Sequence, residues 1–293
     1  GRKGPRLRLM ASSCLLRRLH VFPRRSRSHR GVCTSTVGFE GPMRWALGGW
    51  TFFLAENLLL SHHRTEIISL FGGDEAKYHL LYGSLSTAAC ASIGYGYVRH
   101  ARHAPPFLWP AHLPAHPVRM MLGFAMQAVG FAGLAQALPE LQTPVVGGPD
   151  GRAGGFVVRC PFNLLDKRGD AADGEVRGAI RVTRHPGFWA FGLSCLGGAA
   201  TVPSLPQAAW LSMPAVVALI GGAHADYRHR RGLGGSLPPE TEAVTSLVPF
   251  VAMLSGAQGN VAAAFSALFS EIKASNAAAG VAFAAIRALR LAR

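Results

Sequence analysis

The chain has 293 residues, of which 49% are hydrophobic and only 15% are charged, against roughly 25% charged residues in ordinary soluble domains. Its formal net charge is +15, but ten Arg and Lys and no acid fall within residues 1–35, which leaves +5 for the remainder. Because the basicity is confined to one terminus and no zinc-finger or helix-turn-helix pattern follows, a nucleic-acid partner is not expected, and the apolar remainder favours contact with lipid.

Residues 1–38 form a basic head that is rich in Arg, contains Ser and lacks Asp and Glu. This composition is typical of an organellar transit peptide, and it lacks the long apolar core of a secretory signal. There are two alternatives. The head is a disordered basic arm, or it includes translated sequence that lies upstream of the true start at Met10. We therefore exclude the head from predictions of the fold.

Five apolar windows follow the head, at residues 45–60, 79–98, 118–138, 187–202 and 207–223. Each is close to the roughly 17–25 residues that a helix needs to cross a bilayer. They are rich in Gly, Ala and Ser, which let helix backbones approach closely in lipid. The pattern predicts an all-α, multi-pass transmembrane bundle of about five to six helices, within a membrane domain covering residues 39–258.

Two segments outside the windows complete the predicted organisation. Residues 139–180 mix both charge signs with many glycines, which predicts a water-facing insertion; its GGPDGRAGG lacks the Gly-Lys-Ser/Thr ending of a phosphate-binding loop. Residues 259–293 predict two short helices broken near Ser275 and Asn276. The second of them either crosses the membrane or lies on its surface.

The sequence RVTRHP places Arg181, Arg184 and His185 just before the fourth window. Pro186 suits the first helical turn, so the window begins here with its cations outside. One interpretation is an anchor, since arginines at a helix mouth bind lipid headgroups. The other is a clamp for an anion or a cofactor, because Arg presents bidentate donors and His carries protons.

A second polar cluster, HADYRHRRG, closes the fifth window with His224, Asp226 and Arg231. The short PSLP turn between the fourth and fifth windows predicts antiparallel neighbours, which brings both basic clusters to one membrane face. Asp226 would balance the arginines. A solvated helix end is the simpler alternative.

Glu56 and Asn57 lie inside the first window. A carboxylate within a spanning helix costs roughly 3 kcal/mol on insertion scales, so such residues face the bundle interior or a wet cavity. Alternatively, the helix is shifted and Glu56 sits near the headgroups. The five cysteines contain no CxxC pair, so no metal site is predicted.

Four segments in order, FFLAENLLLSHH, RVTRHP, HADYRHRRG and TSLVPF, resemble the NnrU family of membrane proteins over about residues 45–255. The resemblance implies a helical membrane fold and, through the family's plastid 15-cis-zeta-carotene isomerase, a plastid membrane and a haem b that serves isomerisation of a carotenoid double bond. A mitochondrial membrane is the alternative location. More distantly, the order of these segments is similar to isoprenylcysteine methyltransferases.

The chain departs from the isomerase where the haem ligands are expected. The first ligand histidine corresponds to Glu56, and the second to Gly198, three residues after Cys195. Since haem needs an axial donor such as His, Cys or Met, neither position supplies one. Haem b is therefore implied by the resemblance but not by the residues present, and the cofactor stays unknown.

These patterns predict one shared polar site and an enzyme acting on a carotenoid, isoprenoid or other lipid. The expected catalytic residues are Glu56, His185 and His224, and the expected cofactor-binding residues are Arg181, Arg184 and Arg231. Membrane lipid and an apolar small molecule are the expected partners. A non-catalytic membrane component and a methyltransferase-like protein are the alternative functions.

Overall fold

The computed structural model describes residue 1 and residues 37–137, 145–147, 156–158, 176–233 and 235–291. Apart from residues 1, 37 and 38, the predicted transit peptide lies outside these residues, as does most of the predicted insertion at 139–180. Thr36–Arg293 form one compact unit.

Helices account for nearly all the regular structure among the described residues. In chain order they are α1 (Val37–His62), α2 (Arg64–Leu70), α3 (Glu75–Gly96) with a π turn (Tyr97–Ala101), α4 (Pro117–Ala137), α5 (Ala179–Val182), α6 (Pro186–Ala199), α7 (Leu205–His229), α8 (Pro239–Val244), α9 (Val251–Leu254), α10 (Val261–Glu271) and α11 (Ala274–Leu291). Two three-residue strands, β1 (Val145–Gly147) and β2 (Phe156–Val158), pair antiparallel. The predicted all-α class is confirmed apart from this small hairpin, which the sequence did not predict.

Short polar residues and prolines set the starts of the long helices. The Asp74 carboxylate accepts from the first N–H groups of α3, and the Ser204 hydroxyl accepts from the N–H of Gln207 at the start of α7. Pro186 occupies the first position of α6 after a non-helical His185, as proline geometry favours. The fourth and fifth predicted windows therefore begin where the sequence indicated.

Six long helices pack side by side in the order α3, α1, α7, α6, α4, α11. Consecutive long helices along the chain run in opposite directions. The end of α1 meets the start of α3, where the Tyr78 hydroxyl donates to the Leu60 carbonyl. The end of α4 meets the start of α11, where Gln136 and Lys273 exchange two hydrogen bonds. The chain therefore passes from one end of the bundle to the other six times.

We call the two ends of the bundle the Asp226 end and the Trp45 end. The Asp226 end holds the last turns of α1, α4 and α7 and the first turns of α3, α6 and α11. At the Trp45 end, Phe107 pairs with Ser204 in an isolated bridge, and the Ser204 hydroxyl donates to the Ala104 carbonyl at 2.6 Å. Hydrogen bonds between segments therefore occur at both ends of the bundle.

Glycines allow the closest helix contacts. A Cβ added at Gly130 of α4 would lie 2.4 Å from the Ser194 nitrogen of α6, and one at Gly280 of α11 would lie 2.4 Å from the Ala132 nitrogen of α4. Backbones this close fit the small-residue packing of helices in lipid. The glycines therefore hold α6, α4 and α11 together.

The largest apolar core lies where α1, α3 and α7 meet. Its buried members are Trp50, Phe53, Leu54, Ala89, Ile93 and Val217. A second cluster joins α6 and α7 near the Trp45 end, and a third joins α9 to α10 near the Asp226 end. The third cluster holds α9 and α10 together next to the Asp226 end.

Large apolar side chains also lie exposed on the outer faces of the long helices. Leu80 is 72% exposed, Met121 is 70% exposed and Leu59 is 60% exposed. Extensive exposed apolar surface marks contact with a membrane or a partner. Among the described residues, two helices are long and apolar enough to cross a membrane, Pro117–Gln136 and Leu205–His229, with only 17% and 33% of their apolar windows buried.

The helix at the C-terminus differs from its prediction. The break between the two helices falls at Ile272 and Lys273, so α11 starts at Ala274 and extends for 18 residues, about 27 Å at 1.5 Å per residue. Ser275 and Asn276 lie within its first turn, where the Asn276 amide donates to the Ala135 carbonyl. Attachment to α4 thus extends the helix beyond the predicted break.

Candidate functional site

The RHP segment and the end of α7 meet in a buried ionic cluster. Asp226 Oδ2 accepts from Arg184 Nε at 3.0 Å and from a terminal guanidinium nitrogen at 2.7 Å. Its other oxygen, Oδ1, lies 3.0 Å from His185 Nε2. We name Arg184, His185 and Asp226 the RHD cluster. The antiparallel packing of α6 on α7 brings the three together.

A strand-like segment after α8 covers the RHD cluster. The second terminal nitrogen of the Arg184 guanidinium donates to the Thr245 carbonyl at 2.9 Å. The backbone N–H of Arg184 donates to the Ser246 carbonyl. Thr183 donates from its hydroxyl to the Leu247 carbonyl at 2.6 Å. The TSLVPF sequence thus supplies main-chain acceptors for the RHP segment.

Burial closes the RHD cluster to solvent. The His185 ring is 0% exposed and Asp226 is 2% exposed. Gly222 makes room for the ring, because a Cβ there would lie 2.9 Å from it. Since each charged group is paired and hydrogen-bonded, the burial is energetically tolerable. The cluster is therefore arranged to hold α6, α7 and the covering segment together.

Glu56 occupies a different position, between α1 and α3. Its Oε1 atom accepts from the Ser86 hydroxyl at 2.8 Å and from the Asn57 amide, while Tyr82 donates to Asn57 Oδ1 at 2.6 Å. The Glu56 residue is only 6% exposed, and its Oε2 atom is buried with no hydrogen-bond partner among the described residues. Glu56 thus faces the interior of the helical bundle.

His224 lies toward α1, apart from both of these groups. Its Nε2 atom is 2.6 Å from the Ser61 hydroxyl, and its ring lies 6.4 Å from that of His62. The Arg231 guanidinium stacks over the Tyr227 ring at 4.1 Å. These side chains lie on the face of α7 that turns away from the RHD cluster.

Arg181 serves yet another contact. Its guanidinium forms a bidentate pair with Glu271 at the end of α10, at 2.8 to 3.1 Å. The Gly178 N–H also donates to Glu271. The hydrogen bond from Arg181 and that from Gly178 hold the Glu271 pKa below its ordinary value near 4.5, although burial opposes them. Arg181 therefore attaches α10 to the RHP segment.

The six predicted site residues thus reach four separate environments at or near the Asp226 end. Arg184 and His185 come together, His224 and Arg231 share one face of α7, and Glu56 and Arg181 each have other neighbours. From the sequence, Asp226 was expected only to balance the charge of the arginines, but it is the centre of the RHD cluster. The sequence did contain a signal for this role, because Asp226 is the one acidic residue of HADYRHRRG. Ser61, Ser86 and Glu271 were missed, and no sequence signal marks them.

The residues present do not fit a haem. Glu56 supplies a carboxyl already held by Ser86, and Gly198 has no side-chain donor at all. The nearby Cys195 packs within the apolar cluster of Ala199 and Leu211. Within the described ranges, no group of three His, Cys, Asp or Glu is placed to hold a metal ion. No step through haem is therefore derived.

Comparison of the chain with protein families, with characterised proteins and with solved structures yields no match.

Proposed function

We propose that the chain is a multi-pass membrane protein of the NnrU type whose six long helices all cross the bilayer. The alternating directions of these helices and their exposed apolar faces support this proposal. Trp45, Tyr95 and Trp109 near one end of the bundle add aromatic rings of the kind that mark membrane interfaces. The basic head is compatible with either organelle, and the resemblance favours a plastid membrane over a mitochondrial one.

α6 is shorter than the other crossings, and the RHD cluster explains how it is accommodated. With 14 residues it extends about 21 Å, less than the roughly 30 Å hydrocarbon core. In the segment before it, Thr183 and His185 are buried, and the backbone N–H and the side chain of Arg184 donate to the Ser246 and Thr245 carbonyls. Irregular backbone at membrane depth is tolerated where protein buries it in this way.

We further propose that the protein isomerises a double bond of a carotenoid or related isoprenoid, with Glu56 as the proton-transferring group. The observation that carries this proposal is the buried Glu56 carboxyl, whose Oε1 atom is held by Ser86 and Asn57 while Oε2 has no partner in the part of the chain that the structure describes. A neutral carboxylic acid avoids burying an unpaired charge there. The remaining interactions fix the carboxyl in one orientation.

The proposed reaction is balanced without a redox partner. Protonated Glu56 donates its proton to one alkene carbon, which leaves a cation delocalised over the conjugated chain and a carboxylate. Rotation about the former double bond follows, and the carboxylate then removes a proton from the same carbon to restore the double bond. General acid–base catalysis of this kind contributes typically 10²–10⁴-fold to a rate.

The test uses full-length protein in vesicles that contain a 15-cis carotenoid, with the isomers separated by chromatography. We expect conversion by the wild type and a loss of about 100-fold in E56Q. The matched control is E66Q, which removes an exposed acid of α2. Equal rates in E56Q and the wild type would exclude Glu56, and no conversion by folded wild type would exclude the isomerase.

A non-catalytic membrane component is the second candidate, and the closed RHD cluster favours it. The Arg184 donors are taken by Asp226 and the Thr245 carbonyl, so they serve the fold and not an anionic cofactor. This also weighs against methyl transfer with Arg184 as a cofactor ligand. Wild type that inserts and folds but converts no carotenoid would leave this candidate as the function.

A further inference from the structure

We infer that the outer face of α7 at the Asp226 end binds the phosphate group of an amphiphilic lipid. The relevant residues are His224, Tyr227, Arg228 and Arg231, which we call the α7 stripe. Their spacing of three and four residues places them on one face of the helix. The inference rests on the proposed membrane insertion and does not involve Glu56, the residue proposed to transfer the proton.

The charge of the α7 stripe is uncompensated within the part of the chain that the structure describes. Arg228 and Arg231 form no ion pair there, whereas the intervening Arg230 pairs with Glu242. The Arg228 Nε atom is buried and has no hydrogen-bond acceptor within the described ranges. Two guanidinium groups without a carboxylate constitute a site for an anion, and Arg geometry matches phosphate through bidentate hydrogen bonds.

Side chains from two helices hold the stripe in place. Tyr227 lies between the His62 ring, at 6.3 Å, and the Arg231 guanidinium, at 4.1 Å. His224 is tied to Ser61 of α1. The stacked Tyr227 ring limits the positions open to Arg231, which reduces the entropy lost on binding an anion.

An exposed apolar track leads directly to the stripe and identifies the ligand as an amphiphile. Val216, Leu219 and Ile220 are 37%, 45% and 39% exposed on the preceding turns of α7. They share the helix face of the stripe, because 216, 220, 224 and 227 follow helical spacing. An acyl or isoprenoid chain would lie on this track while its phosphate reaches Arg228 and Arg231.

The test measures phosphatidic acid bound to the full chain in nanodiscs of phosphatidylcholine with a minor fraction of phosphatidic acid, by native mass spectrometry. We expect R228Q/R231Q to retain less phosphatidic acid than the wild type, by about tenfold for each arginine, where a factor of ten corresponds to 1.4 kcal/mol. R228K/R231K should recover part of this lost binding. R230Q and R290Q are matched controls and should retain the wild-type level.

Two further outcomes are decisive. If inorganic diphosphate displaces the lipid at equal concentration, the apolar track adds nothing and the amphiphile is excluded. If R228Q/R231Q does not fold, a photoreactive phosphatidic acid on the wild type decides instead, and crosslinks away from residues 216–231 overturn the inference. Protein that fails to enter nanodiscs refutes membrane insertion, whereas inserted R228Q/R231Q with undiminished lipid binding refutes this site alone.

Discussion

At the scale of single residues, Asp226 determines how the Asp226 end is built. It is shared by a guanidinium and an imidazole that are both contributed by RHP. The sequence predicted that the two basic clusters meet, because a short turn joins α6 to α7. It did not predict the division of the other site residues, since the rotation of each helix about its axis depends on packing with neighbours that are distant in sequence.

Replacing Asp226 by asparagine should destabilise the fold strongly. D226N keeps the side-chain shape but leaves the Arg184 charge buried beside a neutral amide, and removing one partner of a buried pair costs about 3–5 kcal/mol. Thermal unfolding in detergent would measure the change. D74N is the control, because asparagine also caps a helix start and Asp74 lies near the surface. Equal losses in the two variants would contradict a special role for Asp226.

At the scale of helices, the Glu271 contact predicts how the attachment of α10 depends on pH. The Glu271 pKa is lowered in the folded protein by the hydrogen bond from Arg181. The stabilisation is therefore complete above the ordinary carboxyl pKa and is lost as the pH falls below it. We expect E271Q to unfold at lower temperature at neutral pH and to change less than the wild type below about pH 4.5.

Unfolding temperatures of both proteins across this pH range would measure the difference. E240Q is the control, because Glu240 is exposed on α8 and makes no ion pair among the described residues. Parallel pH profiles for E271Q and the wild type would contradict the contribution of the Arg181 pair.

The glycine contacts predict a second effect at the scale of helices. G130A should push α4 away from α6, because the added methyl group would lie 2.4 Å from a backbone nitrogen. Overpacking of this kind costs typically 1–3 kcal/mol. G94A is the control, since its Cβ meets nothing within 4 Å and Ala favours helix over Gly. A G130A protein as stable as G94A would contradict close packing of α4 on α6.

The presence of most of the long helices was predictable from the sequence. The five apolar windows correspond to α1, α3, α4, α6 and α7, because their composition and bounding prolines act locally. The position of α11 was less predictable. Its first turn is fixed by Gln136 and Ala135 of α4, contacts that no local pattern records.

At the scale of the whole molecule, the six long helices alternate in direction, so each described connection between them lies either at the Trp45 end or at the Asp226 end. The Pro- and His-rich connection at 102–116 and the last turn of α11 lie at the Trp45 end. The α8 and α9 segment lies at the Asp226 end with the RHD cluster. Apolar side chains lie exposed on the helix faces between the two ends.

Cysteine accessibility in sealed membrane vesicles tests the six-crossing arrangement most directly. The native cysteines would be replaced by serine, and single cysteines placed at His112, Glu240 and Arg290, then labelled with a membrane-impermeant maleimide before and after permeabilisation. We predict that positions 112 and 290 react from one side of the membrane and position 240 only from the other. Labelling of 112 and 240 from the same side, or of all three in a soluble fraction, would contradict the account.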